Sequence, residues 1–351
     1  MSTPTSMRAY VQHADGSGSA KLALDSVPVP QPASDELLVK ISHVGQNPTD
    51  VQSLDSNAFG DGSIFGCDFV GTVKQKGDKV TTVSKGDVIA GLVWGGEKKG
   101  LGAYCEYSLA VENISFKVPY SIPAAEAATV PLAATTAWLA LFSKACLSID
   151  RQEGMGRSVL IWGGSSSVGL YAIQIAALHK LKVFTTCSPK HFDRAKAFGA
   201  SAAFDYKQAD VVASIKSAAP DLQYVFDTIG DSSSSTLASQ AIRDQGGNLC
   251  TVRPGKANTS EVTKRTKVTD VLVWTAFLSD HRYGEFFWPA DKDDHDLASE
   301  LFRSLPTWLE NGTIKPSVPK ILRGLEAVPE GFQEHRDGKI SGYKIVYELE
   351  G

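Results

Sequence analysis

The sequence predicts an α/β chain in which a β-rich first part is followed by a doubly wound parallel sheet, and three observations predict it. From Ser158 to Val252, short apolar runs alternate with helical patterns across brief connections, as in a parallel sheet covered by helices. Before Pro123, short alternating runs such as Glu36-Leu37-Leu38-Val39-Lys40-Ile41 and Phe69-Val70-Gly71-Thr72-Val73 are separated by glycine and proline, the texture of an antiparallel barrel or sandwich. The third observation is the run Val159-Leu160-Ile161-Trp162-Gly163-Gly164-Ser165-Ser166-Ser167-Val168-Gly169, which joins a strand to a helix through glycines.

In chain order, the opening Met1-Ser2-Thr3-Pro4-Thr5-Ser6-Met7 lacks the charged and apolar regions of a secretory leader. The alternating strands follow, and near Pro123 the texture changes to Ala- and Leu-rich helix. The α/β alternation comes next. The tract Ser232 to Ser235 reads as a helix cap. A helical segment from Leu297 to Glu310 leads to short strands ending in Tyr343-Lys344-Ile345-Val346-Tyr347, which rejoin the first part. The expected divisions are residues 1–125, 126–295 and 296–351.

The glycine turn carries a specific chemistry. Gly163 and Gly164 let the backbone approach a pyrophosphate, Gly169 lets the helix pack closely on its strand, and the helix N-terminus offers N–H groups to phosphate. Residues Gly163, Gly164, Ser165, Ser166, Ser167 and Val168 therefore form a candidate dinucleotide site. The next strand, Lys182 to Thr186, exits into Cys187-Ser188-Pro189-Lys190. An NAD site places an acid at this exit to accept from the ribose 2′-hydroxyl. Here Ser188 can donate to a 2′-phosphate and Lys190 and Arg194 supply positive charge, which predicts NADPH; the alternative is that both cations are merely solvated.

Composition fits a soluble, cytoplasmic two-domain protein: 351 residues, 42% hydrophobic and 21% charged. A net charge of -4 gives no reason to expect nucleic acid or an anionic membrane as partner. The five cysteines are scattered without a CxxC pair, so neither a disulfide framework nor a zinc cluster is expected.

Further motifs extend the pattern over nearly the whole chain: Asn47-Pro48-Thr49-Asp50, Gly66-Cys67-Asp68-Phe69-Val70-Gly71-Thr72-Val73, Lys85-Gly86-Asp87-Val88-Ile89, Gly102-Ala103-Tyr104-Cys105-Glu106-Tyr107 and Thr135-Thr136-Ala137-Trp138-Leu139-Ala140-Leu141. With them the chain resembles the medium-chain dehydrogenase/reductase superfamily. The Asn-Pro-x-Asp element resembles its quinone oxidoreductase branch. Thr186 to Asp193 and the ending Ser341-Gly342-Tyr343-Lys344-Ile345-Val346 resemble fungal trans-acting enoyl reductases, which partner polyketide synthases. The resemblance implies a GroES-like β-barrel catalytic domain joined to a Rossmann cofactor domain.

Zinc-dependent members of the superfamily carry a cysteine ligand about where Gln46 stands and Gly-His-Glu where this chain has Gly66-Cys67-Asp68. Cys67 alone cannot hold zinc, which takes three protein ligands, and it reads as a lone buried thiol. Without a Lewis acid the substrate must supply its own electron sink. An α,β-unsaturated thioester or ketone does so as an enolate, a quinone by becoming aromatic. The favoured reading is thus an NADPH-dependent, zinc-independent ene or enoyl reductase acting on a small or carrier-bound substrate. The alternatives are a quinone oxidoreductase and, from another class, a non-catalytic NADPH-binding sensor or scaffold.

The resemblance also implies site residues. Asn47 and Thr136 would lie near the nicotinamide and acceptor, although Asn47 could be a turn former, Asp50 a helix cap and Thr136 bonded to its own helix. Gln52 stands where relatives carry Tyr or Lys and can offer a neutral donor only. Tyr206 would pack on the adenosine phosphate or be an ordinary strand-end tyrosine. Lys344 would reach the cofactor or lie on the surface. The aromatic segment Trp274 to Pro289 could line an acyl pocket or form a dimer contact; the trans-acting reductases imply a monomer, the quinone reductases a homodimer.

Overall fold

A computed structural model describes residues 3–14, 20–283 and 285–349. The first strands are β1 (Ser6–Ala14), β2 (Ala20–Pro28) and β3 (Glu36–Gly45), followed by helix α1 (Pro48–Asp55) and strands β4 (Asp68–Lys76), β5 (Val88–Leu92), β6 (Tyr107–Val111) and β7 (Ser115–Lys117). Helices α2 (Ala124–Ala127) and α3 (Pro131–Phe142) lead into alternating elements: β8 (Ser158–Trp162), α4 (Ser167–Leu178), β9 (Lys182–Thr186), α5 (Phe192–Ala197), β10 (Ala200–Phe204), α6 (Val211–Ala218), β11 (Tyr224–Asp227), α7 (Ser232–Gln240), β12 (Gly247–Thr251) and β13 (Thr266–Asp270). Then come β14 (His281–Tyr283), β15 (Phe286–Trp288), α8 (Lys292–Glu310), β16 (Pro319–Arg323), α9 (Val328–Arg336) and β17 (Lys344–Glu348).

The chain divides into two units, one of Met1–Leu132, His281–Phe287 and Phe302–Gly351, the other of Ala133–Asp280 and Trp288–Leu301. Two of these divisions, after Leu132 and after Leu301, fall inside α3 and α8. The expected divisions at 125 and 295 fell on changes of composition instead.

In the first unit a sheet runs in the order β16-β17-β3-β4-β5-β7, with β6 also on β3. Its pairs are antiparallel except β16 on β17. Strands β1 and β2 form a separate pair tied on by bridges Ala9 to Cys105 and Val11 to Ile64. Among the described residues no pairing joins β16 to β7, so hydrogen bonding does not close the expected barrel. The apolar core gathers Leu37, Val39, Ile41, Phe69, Val73, Ile89, Tyr104, Phe332, Ile345 and Tyr347. The C-terminal strand thus returns to this unit, where it pairs with β3.

In the second unit six parallel strands run in the order β10-β9-β8-β11-β12-β13. Every residue of β8 is buried, as the continuous apolar run requires of a central strand covered on both faces. The chain leaves β8 toward β9 and β10, then returns to β11 on the other side, so the strand order reverses between β8 and β11. Ligands of such sheets bind at that reversal, beyond the carboxyl ends of the strands. Strand β13 was not anticipated, because its polar Thr-Lys-Val-Thr-Asp sequence suits an edge and carries no apolar run.

The stretch Ala124–Phe142 is apolar enough to cross a membrane but is 94% buried within the protein, as a core helix is. Ser232 to Ser235 form the first turn of α7 and share in its cap: Asp231 at the N-cap accepts from Ser234 N–H at 2.7 Å, and Ser234 Oγ completes a capping box by accepting from Asp231 N–H at 3.1 Å. Strands β14 and β15 pair within the aromatic segment, and the Arg282 guanidinium stands 4.5 Å over Phe287; Gly284 of that segment lies outside the described residues. All five cysteines are buried thiols.

Candidate functional site

Strand β8 is followed by Gly163, whose φ of 91° is strained for any residue with a side chain. Gly163 and Gly164 both donate to Thr186 O, at 3.2 and 2.8 Å, which locks the turn against the end of β9. A Cβ on Gly164 would lie 2.0 Å from Thr185 Oγ1, and one on Gly169 2.3 Å from Gly163 O. Ser166 caps α4, accepting from Gly169 N–H at 2.9 Å, and meets Thr228 Oγ1 at 2.9 Å. Among the described residues the N–H groups of Ser165, Ser167 and Val168 have no acceptor within the protein. Three donors at a helix N-terminus, beside glycines that leave room for nothing larger than hydrogen, fit a dinucleotide pyrophosphate.

The neighbouring strand ends contribute the rest of this edge. Ser188 opens the short turn Pro189–His191, Lys190 is exposed and Arg194 stacks on Phe198 at 5.4 Å. Burial together with the positive charges of Lys190 and Arg194 lowers the His191 pKa below its ordinary value, a sign that the local potential is positive. Tyr206 follows β10, 42% exposed, with Lys207 Nζ 5.7 Å from its ring. Asp205, after β10, accepts from Lys207 N–H at 3.0 Å. At the end of β11, buried Asp227 accepts from the N–H groups of Ile229 and Gly230 and the hydroxyls of Ser234 and Ser235. It braces the loop behind Thr228, although burial still raises its pKa above the ordinary carboxylate value.

In the first unit a buried polar cluster joins four segments. Lys344 Nζ, 2% exposed, pairs with the Asp68 carboxylate, which is 0% exposed. It also donates to Asn47 Oδ1 at 3.0 Å. The Asn47 amide in turn donates to Asp68 Oδ2 at 3.0 Å and Gly45 O at 3.3 Å. Asp68 Oδ1 accepts the Leu132 N–H at 2.6 Å, one of the donors that the first turn of α3 cannot satisfy within the helix. Asp50, in the first turn of α1, accepts from Asn47 N–H at 2.8 Å, Tyr104 OH at 2.9 Å and Cys67 Sγ at 3.4 Å. Gln46 accepts from Tyr347 OH and donates to Gly331 O at 3.0 Å.

Burial pushes the Asp50 carboxyl up to about 6 despite those three donors, with the nearby Asp68 charge adding to the rise. The Cys67 thiol is pushed well above its ordinary value by burial and by the same two carboxylates. A folded pKa near 6 against 3.8 in the unfolded chain means that ionised Asp50 opposes folding above pH 6, a penalty removed as pH falls from about 6 to 4. Relative to Asp50→Asn, the native chain should therefore gain about 3 kcal/mol of stability on that acidification. Denaturant titrations of both proteins at several pH values measure it; a constant difference would contradict the assignment.

The structure brings some expected residues together and separates the expected roles of others. Gly163, Gly164, Ser165, Ser166, Ser167, Val168, Ser188 and Tyr206 all follow the carboxyl ends of adjacent strands, as a nucleotide site requires. Lys344 is neither on the surface nor unpartnered: its ammonium belongs to Asp68 and Asn47. Asn47, expected near the nicotinamide and acceptor or as a turn former, has its amide hydrogens and carbonyl engaged in that cluster. Gln52 is exposed on α1, five residues beyond Asn47, and Thr136 is buried on α3. Cys67 is the buried thiol anticipated. Asp68, Asp227 and Tyr104 were not anticipated as members of these buried networks, although an acid opening the apolar run from Phe69 to Val73 was a signal, since a buried charge demands a partner.

Comparison with known proteins follows the same division. Residues 33–120 match the alcohol dehydrogenase GroES-like domain, and residues 167–273 match the zinc-binding dehydrogenase family. Among the described residues there is no group of three or more His, Cys, Asp or Glu side chains placed to hold a metal. The chain is 31% identical to the trans-enoyl reductase grgB of Penicillium sp., covering 99% of each protein, and 31% identical to the trans-enoyl reductase ACTTS2 of Alternaria alternata, covering 98% and 99%. A zinc-type alcohol dehydrogenase-like protein of Schizosaccharomyces pombe is equally similar, at 31% over 96% and 99%. In fold, a putative zinc-dependent alcohol dehydrogenase from Rhizobium etli superposes with a TM-score of 0.80 at 24% identity, covering 99% of this chain and 100% of that one. CurK enoyl reductase gives 0.74 at 17% identity, covering 98% and 99%.

Proposed function

This chain belongs to the medium-chain dehydrogenase/reductase family, alongside the fungal trans-enoyl reductases, and on that premise we propose that it is an NADPH-dependent, zinc-independent enoyl reductase of polyketide metabolism. The observation that carries this reading is the combination of an intact glycine cradle with a first unit whose Gln46, Cys67 and Asp68 are spent on hydrogen bonds. A donor set of that kind suits no tetrahedral zinc, so charge arising on the substrate must spread over the substrate itself. An enoyl thioester or enone accepts hydride at its β-carbon and spreads the charge as an enolate.

NADPH, when bound, supplies that hydride. The N–H groups of Ser165, Ser167 and Val168 would hold its pyrophosphate, Ser188 and Lys190 would receive the 2′-phosphate, and Tyr206 would pack on or bond to the adenosine phosphate. Thr136 offers a hydroxyl that donates toward the enolate oxygen or relays the proton to the α-carbon. Gln52 offers a neutral amide donor from an exposed position on α1, without the positive charge that a lysine would bring to an enolate or a pantetheine phosphate. The exposure of Gln52 favours a substrate presented on a carrier, whose acyl group must be reached from outside.

Anaerobic incubation with C4-deuterated NADPH and a mixture of enoyl-pantetheine thioesters, enones and quinones tests the reading. Deuterium at the β-carbon of a saturated thioester or ketone is expected. Quinol as the only product would replace it with a quinone oxidoreductase, and binding without turnover would favour a sensor or scaffold. Cofactor preference has its own test: Ser188→Ala with Lys190→Ala should weaken NADPH about 10–100-fold while changing NADH about twofold or less, because only the phosphate loses its partners. Equal weakening of both cofactors by equilibrium fluorescence titration would refute the 2′-phosphate assignment.

A further inference from the structure

We propose that Asp68 is the positioning residue of the first unit: one buried carboxylate fixes the Asn47 amide, the Lys344 ammonium and the first turn of α3, and thereby the alignment of the helix that carries Thr136. The argument starts from its two oxygens. Oδ2 takes the charge of Lys344 and a hydrogen of Asn47, while Oδ1 takes the Leu132 N–H. Each partner belongs to a different segment: Asn47 precedes α1, Leu132 opens α3 and Lys344 opens β17. Asp68 itself opens β4, held between β3 and β5. A group on a paired strand is thus the fixed point, and the starts of two helices and one strand are referred to it.

Two further observations show how tightly the arrangement is specified. A Cβ on Gly45 would lie 2.3 Å from Ala128 O, 3.1 Å from Lys344 Cε and 3.2 Å from Asp68 Cβ, so the backbone beside the cluster has no spare room. The negative charge also stands at the N-terminus of α3, where the helix dipole favours it. Thr136 lies one helical turn beyond Leu132, so a shift of the first turn is transmitted along a rigid rod to its hydroxyl. Proton relay and enolate stabilisation fall steeply with misplacement of this size, whereas nucleotide binding by the turn from Gly163 to Val168 draws on none of these atoms. The functional part of this inference rests on the reductase reading above, in which Thr136 serves the reaction.

The test combines turnover with hydrogen exchange. Asp68→Asn keeps the size of the side chain but presents an amide to the Lys344 ammonium. It is expected to lower kcat about tenfold or more, with NADPH Kd within about threefold of native. Amide exchange of the peptide spanning Leu132 to Thr136 should accelerate about tenfold or more. Asp68→Glu, which keeps the charge, should recover part of kcat. If Asp68→Asn does not fold, the double variant Asp68→Asn with Lys344→Met removes the stranded ammonium and is expected to fold with kcat still low. Native kcat per folded molecule in either variant, or unchanged exchange over Leu132 to Thr136, overturns the proposal. Native protein that turns over no enoyl acceptor refutes the reductase reading instead, and exchange alone then decides whether Asp68 holds α3.

Discussion

Gly164→Val is expected to raise the NADPH dissociation constant about 100-fold or more, because the new side chain closes the cradle from within. Its Cβ alone would stand 2.0 Å from Thr185 Oγ1 and 2.9 Å from Ile173 Cδ1. Thr185 cannot yield easily: it is buried and its hydroxyl donates to Ile161 O at 2.7 Å across the central strands. The turn must therefore swing outward, into the space a pyrophosphate would take, and the donors of Ser165, Ser167 and Val168 lose their common aim. Overpacking of this kind also costs about 1–3 kcal/mol of stability. Fluorescence titration with NADPH and a thermal melt of the same sample separate the two effects. A folded variant with native affinity would remove the glycine turn from the cofactor site.

The second large effect is on stability. Lys344→Met leaves the Asp68 carboxylate buried without its counter-charge, and breaking a buried pair from one side costs about 3–5 kcal/mol. Replacing both partners with apolar residues, Lys344→Met with Asp68→Leu, should recover much of that loss, since the penalty comes from the unmatched charge and not from the missing attraction. Guanidinium unfolding of the three proteins measures both values. A single variant as stable as the native chain would mean that water or another cation already serves Asp68.

These effects trace a line between what the sequence shows and what only the fold reveals. The glycine turn is legible because its function is local: strand, turn, cap and helix lie within eleven residues and each restricts its neighbours. Ser188 is placed just as locally, two residues beyond the end of β9. The Asp68 cluster is illegible for the opposite reason. Its partners lie 21, 64 and 276 residues away, and nothing in the spacing of Asn47, Leu132 and Lys344 announces that they meet. Resemblance pointed to Asn47 and Lys344 individually, the first as lying near the nicotinamide and acceptor, the second as reaching the cofactor. The sequence does not show that the two bond to each other and to Asp68. Strand β13 and the question of whether the first unit's sheet closes were hidden similarly, since edge strands carry little apolar signal and closure of a sheet depends on pairing between distant segments.

The five buried thiols have a practical consequence. Cys67 and Cys105 lie in the first unit, Cys146, Cys187 and Cys250 in the second, and none is among the exposed residues. A thiol reagent can modify them only after the surrounding chain opens, so the speed of alkylation in native buffer is a clock for opening, read without denaturant. Peptide mass mapping of the modified sites would run two such clocks at once, one in each unit. Any substitution that loosens one unit alone would register on its own cysteines and leave the other set silent.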